Sequence, residues 1–132
     1  MKISRFMALA VVPAALALTA TAASAGTVTQ IGQCGARGDY ATCDASGTAR
    51  GPVAGIEVRV YAAPNQQVEV YWDVVCSYGN GAGSKSGSFG GRTSLSREIP
   101  HPYAHPSSCI VAAGAQLQNG GHSITVKIVY WR

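Results

Sequence analysis

Residues 68–77 read Val-Glu-Val-Tyr-Trp-Asp-Val-Val-Cys-Ser, and this run constrains the fold more than any other part of the chain. Val68, Val70, Trp72, Val74 and Cys76 fall on one side, and Glu69, Tyr71, Asp73, Val75 and Ser77 on the other. A repeat of two residues is the signature of a strand with one face buried. The same alternation runs through residues 56–61, 93–99, 109–117 and 124–130, and more weakly through 27–33 and 40–48. No segment beyond the first 25 residues has helical periodicity, and there is no internal repeat. About seven short strands with short joins predict an all-β domain. The expected architecture is a small antiparallel β-sandwich, immunoglobulin-like, with a small β-barrel as the alternative.

Register follows from the same alternation. Pro64-Asn65 suits a turn, and a three-residue loop at Ala63-Pro64-Asn65 would set Val60 opposite Val68 and Arg59 opposite Glu69. A two-residue loop would mix the apolar and polar faces. Asn119-Gly120-Gly121 is a second hairpin signal. Two stretches break the rhythm. Residues 79–91 hold six glycines and three serines and predict a mobile loop or a loose hairpin. Pro100-His101-Pro102-Tyr103-Ala104-His105-Pro106 predicts an extended crossover, because its prolines exclude a helix.

The N-terminus belongs to export rather than to the fold. Lys2 and Arg5 precede an apolar, Ala-rich run over residues 6–18, and Ala23-Ser24-Ala25 offers the small-x-small pattern of a signal-peptidase site. The run is shorter than the ~20 residues that span a bilayer. Residues 1–25 are therefore read as a secretory signal and 26–132 as one β-sandwich domain, secreted and without a membrane anchor once cleaved. Lys2 and Arg5 leave with the signal. The remainder carries eight Lys and Arg against six Asp and Glu, a formal charge of +2 rather than +4. Its cations are scattered, which argues against nucleic-acid binding.

Four cysteines in an exported chain predict two disulfides. Of the three pairings, Cys34–Cys43 and Cys76–Cys109 are favoured. The first closes a short loop containing Gly35, Gly38 and Asp39, and the second ties two apolar segments across the glycine-rich stretch. Oxidised cysteines also remove a thiolate nucleophile.

Few residues offer catalytic chemistry. His101 and His105 are four apart, but an extended segment holds them about 12 Å apart at ~3.1 Å per residue, so no metal or other cofactor is expected. Residues 79–86 resemble a phosphate loop, but Ser84 stands where glycine should precede Lys85 and no helix follows. Arg37-Gly38-Asp39 has the composition of an adhesion motif and equally of a tight turn. There is no G-x-S-x-G elbow. The chain is read as a non-enzyme. The remaining constellation combines Glu57, Arg59, Tyr61, Glu69, Tyr71 and Asp73 on the outward side of the expected hairpin, a mixture enriched in interface cores. Arg59, Tyr61, Tyr71, Asp73 and Trp131 are the candidate binding residues.

The Ala-rich signal, about a hundred mature residues, two cystine pairs and a closing strand His122-Ser123-Ile124-Thr125-Val126-Lys127-Ile128 resemble small exported proteins of actinobacteria. One such setting is the small adaptor subunit of secreted umbrella toxin particles. That resemblance is one of architecture over the whole chain. It implies a non-enzymatic link between a lectin-like subunit and a repeat-bearing toxin subunit, and it carries over no functional residue. Thr125-Val126-Lys127-Ile128-Val129-Tyr130 also resembles small disulfide-bonded amylase inhibitors, whose Trp-Arg-Tyr turn is absent. The expected function is a secreted binding or adaptor module that recognises an extracellular protein or a glycan. The alternative is a small effector such as an enzyme inhibitor or antibacterial toxin.

Overall fold

Wherever β-branched residues alternate with polar ones, the backbone runs extended. In the computed structural model, which describes residues 27–132, eight strands result. They are β1 (Thr29–Arg37), β2 (Thr42–Arg50), β3 (Gly55–Ala62), β4 (Gln67–Tyr78), β5 (Gly81–Arg92), β6 (Leu95–Ile99), β7 (Ser108–Leu117) and β8 (Ser123–Trp131). The expected export signal, residues 1–25, lies outside the described residues.

All strand pairs are antiparallel, and they form two four-stranded sheets in the orders β1-β8-β3-β6 and β2-β7-β4-β5. The protein is a small antiparallel β-sandwich stapled by the two expected disulfides, Cys34–Cys43 and Cys76–Cys109. Its strand order is that of an eight-stranded jelly roll rather than the immunoglobulin arrangement of seven. Every connection crosses from one sheet to the other except β4–β5.

The hairpin expected around Pro64 is therefore absent. Arg59 pairs with Ser96 and Lys127, and Glu69 pairs with Gly90 and Gln116. The join at residues 63–66 carries the chain across the sandwich. Matching apolar faces requires only that both face one core, and strands opposed across a sandwich satisfy this as well as strands side by side. The same correction applies to Asn119-Gly120-Gly121, which links β7 in one sheet to β8 in the other. Gly120 and Gly121 turn there with φ of 80° and 89°.

The eighth strand is the glycine-rich stretch. Of the two expectations for it, the mobile loop is replaced by strand, and the hairpin is formed not within the stretch but with β4, to which β5 pairs through twelve residues, from Gln67↔Arg92 to Tyr78↔Gly81. Gly79, at φ 59°, makes the tight turn between them. The glycines on the inner side of β5 leave room for large neighbours. A Cβ on Gly81 or Gly83 would press on Tyr103 or Pro102, one on Gly87 on the Trp72 indole, and one on Gly91 on Leu95. The 100–107 segment thus packs beneath this edge strand as the irregular crossover from β6 to β7.

Inside, Ile56, Val58 and Val60 of one sheet join Val68, Val70, Val74 and Val111 of the other in one fully buried cluster. Burying each such side chain contributes about 1.5–3 kcal/mol. At the edge where β1 meets β2 the two backbones nearly touch. A Cβ on Gly32 would strike the Ser46 carbonyl, and one on Gly47 the Ile31 carbonyl. Cys34–Cys43 links the sheets at the same edge. Cys76 and Cys109 face each other on neighbouring strands β4 and β7.

Candidate functional site

The outer face of the β2-β7-β4-β5 sheet carries a groove of about 670 Å³. Its composition follows from register. One row across the sheet reads Asp44–Gly114–Tyr71–Ser88, and the next reads Ser46–Ala112–Asp73–Ser86. On the other side of the first row lies Thr42–Gln116–Glu69–Gly90. The central strand β7 contributes small residues, Ala112 and Gly114. Its neighbours contribute long or charged ones, Asp44 from β2 and Tyr71 and Asp73 from β4. A sheet surface with small side chains in the middle and large ones beside them is concave.

Two details define the groove's chemistry. The Asp44 carboxylate leans over Gly114 and occupies the space where a Cβ at that position would stand. This carries its charge inward from β2, toward Tyr71. Tyr71 is 60% exposed and offers its ring to solvent. Among the described residues, neither Asp44 nor Asp73 makes an ion pair, and no Lys or Arg lines the groove. Thr42, Ser86, Ser88 and Gln116 add hydroxyl and amide groups that both donate and accept hydrogen bonds.

The candidate residues read from the sequence separate into two sets. Tyr71 and Asp73 lie in the groove. Arg59, Tyr61 and Trp131 lie on the outer face of the opposite sheet, because β3 and β4 belong to different sheets. There they are engaged with their neighbours. The Glu57 carboxylate accepts a 2.6 Å hydrogen bond from Arg59 Nε and raises the Arg59 pKa above its ordinary value. The Lys127 ammonium sits 5.5 Å from the centroid of the Tyr61 ring. Trp131 lies across Gly55, its register partner, so that any side chain at residue 55 would fall inside the indole. Trp131 therefore covers the sheet rather than standing free.

Other motifs take structural positions. Arg37 closes β1, Gly38 (φ 118°) turns, and Asp39 is exposed beside it, with the Gly38 N–H donating to the His122 carbonyl. Arg37-Gly38-Asp39 is thus the crossing turn between the sheets. His101 lies against backbone, with Nδ1 3.1 Å from the Tyr103 carbonyl. Among the described residues no three His, Cys, Asp or Glu side chains gather as metal ligands would.

Asp44 and Gly114 were not singled out in the sequence. The alternation in 109–117 does place Ala112, Gly114 and Gln116 on one side. Nothing local in Thr42-Cys43-Asp44 ties that strand to β7.

No family model matches the chain, and no curated protein matches it. Among solved structures the chain is similar to the carbohydrate-binding module TmCBM61, in complex with beta-1,4-galactotriose, at 14% identity and a TM-score of 0.42. The match covers 71% of this chain and 64% of that one, so the chain spans less than two thirds of its length.

Proposed function

We propose that this protein is a secreted, non-catalytic recognition module that binds a carbohydrate chain along the groove over β7. The observation that carries this is the row Asp44–Gly114–Tyr71, in which an exposed aromatic ring and an unpaired carboxylate face each other across a glycine. Tyr presents an apolar ring and a polar edge on a side chain with few rotamers. The C–H face of a sugar stacks on such a ring, and its hydroxyls need acceptors close by. Carboxylates accept up to about four hydrogen bonds and donate none when ionised. With one strand spacing of about 4.8 Å between β7 and β4, a ring stacked on Tyr71 has its hydroxyls within reach of Asp44.

The composition of the groove supports reading this as binding without turnover. Among the lining residues there is no His, Cys, Lys or Arg to act as nucleophile, base or electrophile. Asp44 and Asp73 are exposed, whereas a glycosidase's general acid needs a buried, apolar setting. Removal of residues 1–25 on export would release the module outside the cell, where its disulfides persist.

The test is isothermal titration of the protein, residues 26–132, against a panel of soluble polysaccharides, with reducing-end release followed in parallel. Saturable binding with no new reducing ends supports the proposal. Absence of binding across the panel sinks it.

An adaptor role within a multi-subunit secreted particle is favoured by a separate observation. Beyond Ala112 the same face continues to Ile110 and Val75, 61% and 47% exposed. Apolar side chains of that exposure, ringed by Thr48, Ser84 and Arg50, have the layout of a protein-contact patch. Co-purification of a stoichiometric partner that is lost in Ile110→Asp would support it.

A further inference from the structure

Taking carbohydrate binding in the groove as proposed above, we infer that the groove selects uncharged sugar chains over uronic-acid chains, and that Asp44 is the residue that sets this selectivity.

The charge around the groove is one-sided. Asp44 and Asp73 line it, and Glu69, paired with Gln116, stands one row from Tyr71 on the same face. The nearest cations on this outer face by register are Arg92, which pairs with Gln67 four residues from the Tyr71 row and donates to the Asn65 carbonyl, and Arg50, which pairs with Ser108 four residues beyond the Asp73 row. Each offset is about 14 Å along the strand at ~3.4 Å per residue, past the Debye length of about 8 Å at physiological ionic strength. Lys85 pairs with Val74 and so emerges on the other side of β5. Among the residues that line the groove, a chain bearing one carboxylate per sugar would meet only like charge.

Asp44 has a distinct place among the three acids. Its carboxylate is drawn over Gly114 into the middle of the sheet, next to Tyr71, whereas Asp73 stands at the side of the groove, one row on. A sugar stacked on Tyr71 therefore presents its hydroxyls to Asp44 first. An ionised carboxylate accepts those hydroxyls but has no proton to offer a uronate. Hydrogen bonds to a charged acceptor contribute roughly 1.5–3 kcal/mol, so their removal is readable as a loss of about tenfold or more in affinity. Asp44→Asn keeps the shape, removes the charge and adds an N–H donor that a uronate can use.

The experiment is affinity electrophoresis of the protein, residues 26–132, with four neutral polymers (galactan, xylan, mannan and mixed-linkage glucan) and two uronates (alginate and polygalacturonate). Wild type, Asp44→Asn and Asp73→Asn are compared, with thermal melts confirming that each variant is folded. The expected result is retardation of wild type by at least one neutral polymer and by neither uronate. Asp44→Asn should weaken the neutral interaction about tenfold and narrow the neutral-to-uronate ratio, and Asp73→Asn should change that ratio less. A uronate bound as strongly as the best neutral polymer overturns the selectivity while carbohydrate binding stands. An unchanged ratio in Asp44→Asn overturns the role of that residue. No retardation by any of the six removes the inference together with carbohydrate binding itself.

Discussion

The carboxylate of Asp44 lies over Gly114, filling the space that a side chain at residue 114 would need. The two residues pair across β2 and β7, and the contact draws a negative charge toward Tyr71 on the next strand. A glycine in the middle of a strand forgoes packing and β-propensity. Here it gives Asp44 its position.

Substituting Gly114→Val should therefore separate binding from stability. The new side chain displaces the end of a flexible carboxylate, which can swing to solvent, and valine suits a strand better than glycine. Unfolding free energy should stay within about 1 kcal/mol of wild type. Affinity for the bound polysaccharide should fall about tenfold or more. Paired denaturation and titration measurements check both halves, and a variant that binds normally removes the Asp44–Gly114 arrangement from the site.

Tyr71→Ala and Tyr61→Ala test which sheet face binds. Tyr71 is 60% exposed, so its loss should cost little stability, about 0.5 kcal/mol, yet reduce carbohydrate affinity about tenfold or more, as loss of a stacked ring does. Tyr61 holds Lys127 on the opposite face. Its replacement should leave binding unchanged and cost roughly 0.5–1 kcal/mol of stability. Reversal of this pattern in titration would move the site to the β1-β8-β3-β6 sheet.

Gly47→Ala should behave unlike any substitution at Gly114. Its Cβ would meet the Ile31 backbone carbonyl, which cannot rotate away. Overpacking of that kind costs about 1–3 kcal/mol, and β1 and β2 would have to part at the edge where Cys34–Cys43 joins them. A lowered melting temperature with unchanged affinity per folded molecule is the expected outcome of calorimetry and titration.

The two disulfides should differ in weight. Cys76–Cys109 spans a sequence separation of 33 and Cys34–Cys43 one of 9. In the chain-entropy model these closures are worth about 4 and about 2.5 kcal/mol. Replacing Cys76 and Cys109 by alanine should therefore lower the denaturation midpoint more than replacing Cys34 and Cys43. Chemical denaturation of the two double variants makes the comparison.

The alternation of Val68, Val70, Trp72, Val74 and Cys76 was enough to fix strands, inner faces and the all-β class, because period two is a local property of the backbone. The spacing of the four cysteines likewise pointed to both disulfides. Partnering was beyond it. Matching parity told that the faces of β3 and β4 meet one core, but a core has two sides, and only the folded chain decides whether two strands lie beside or opposite each other. That decision split Arg59 and Tyr61 from Tyr71 and Asp73. It also turned the glycine-rich stretch into β5, since glycines become a strand only where Trp72, Pro102, Tyr103 and Leu95 arrive to fill the space beside them. Asp44 and Tyr71 are 27 positions apart in the chain and are brought into one row by β7, which follows both. The sequence alone determined what each strand is and which way it faces. The tertiary structure decided which strands are neighbours, because pairing is set by packing over the whole core rather than by any local pattern.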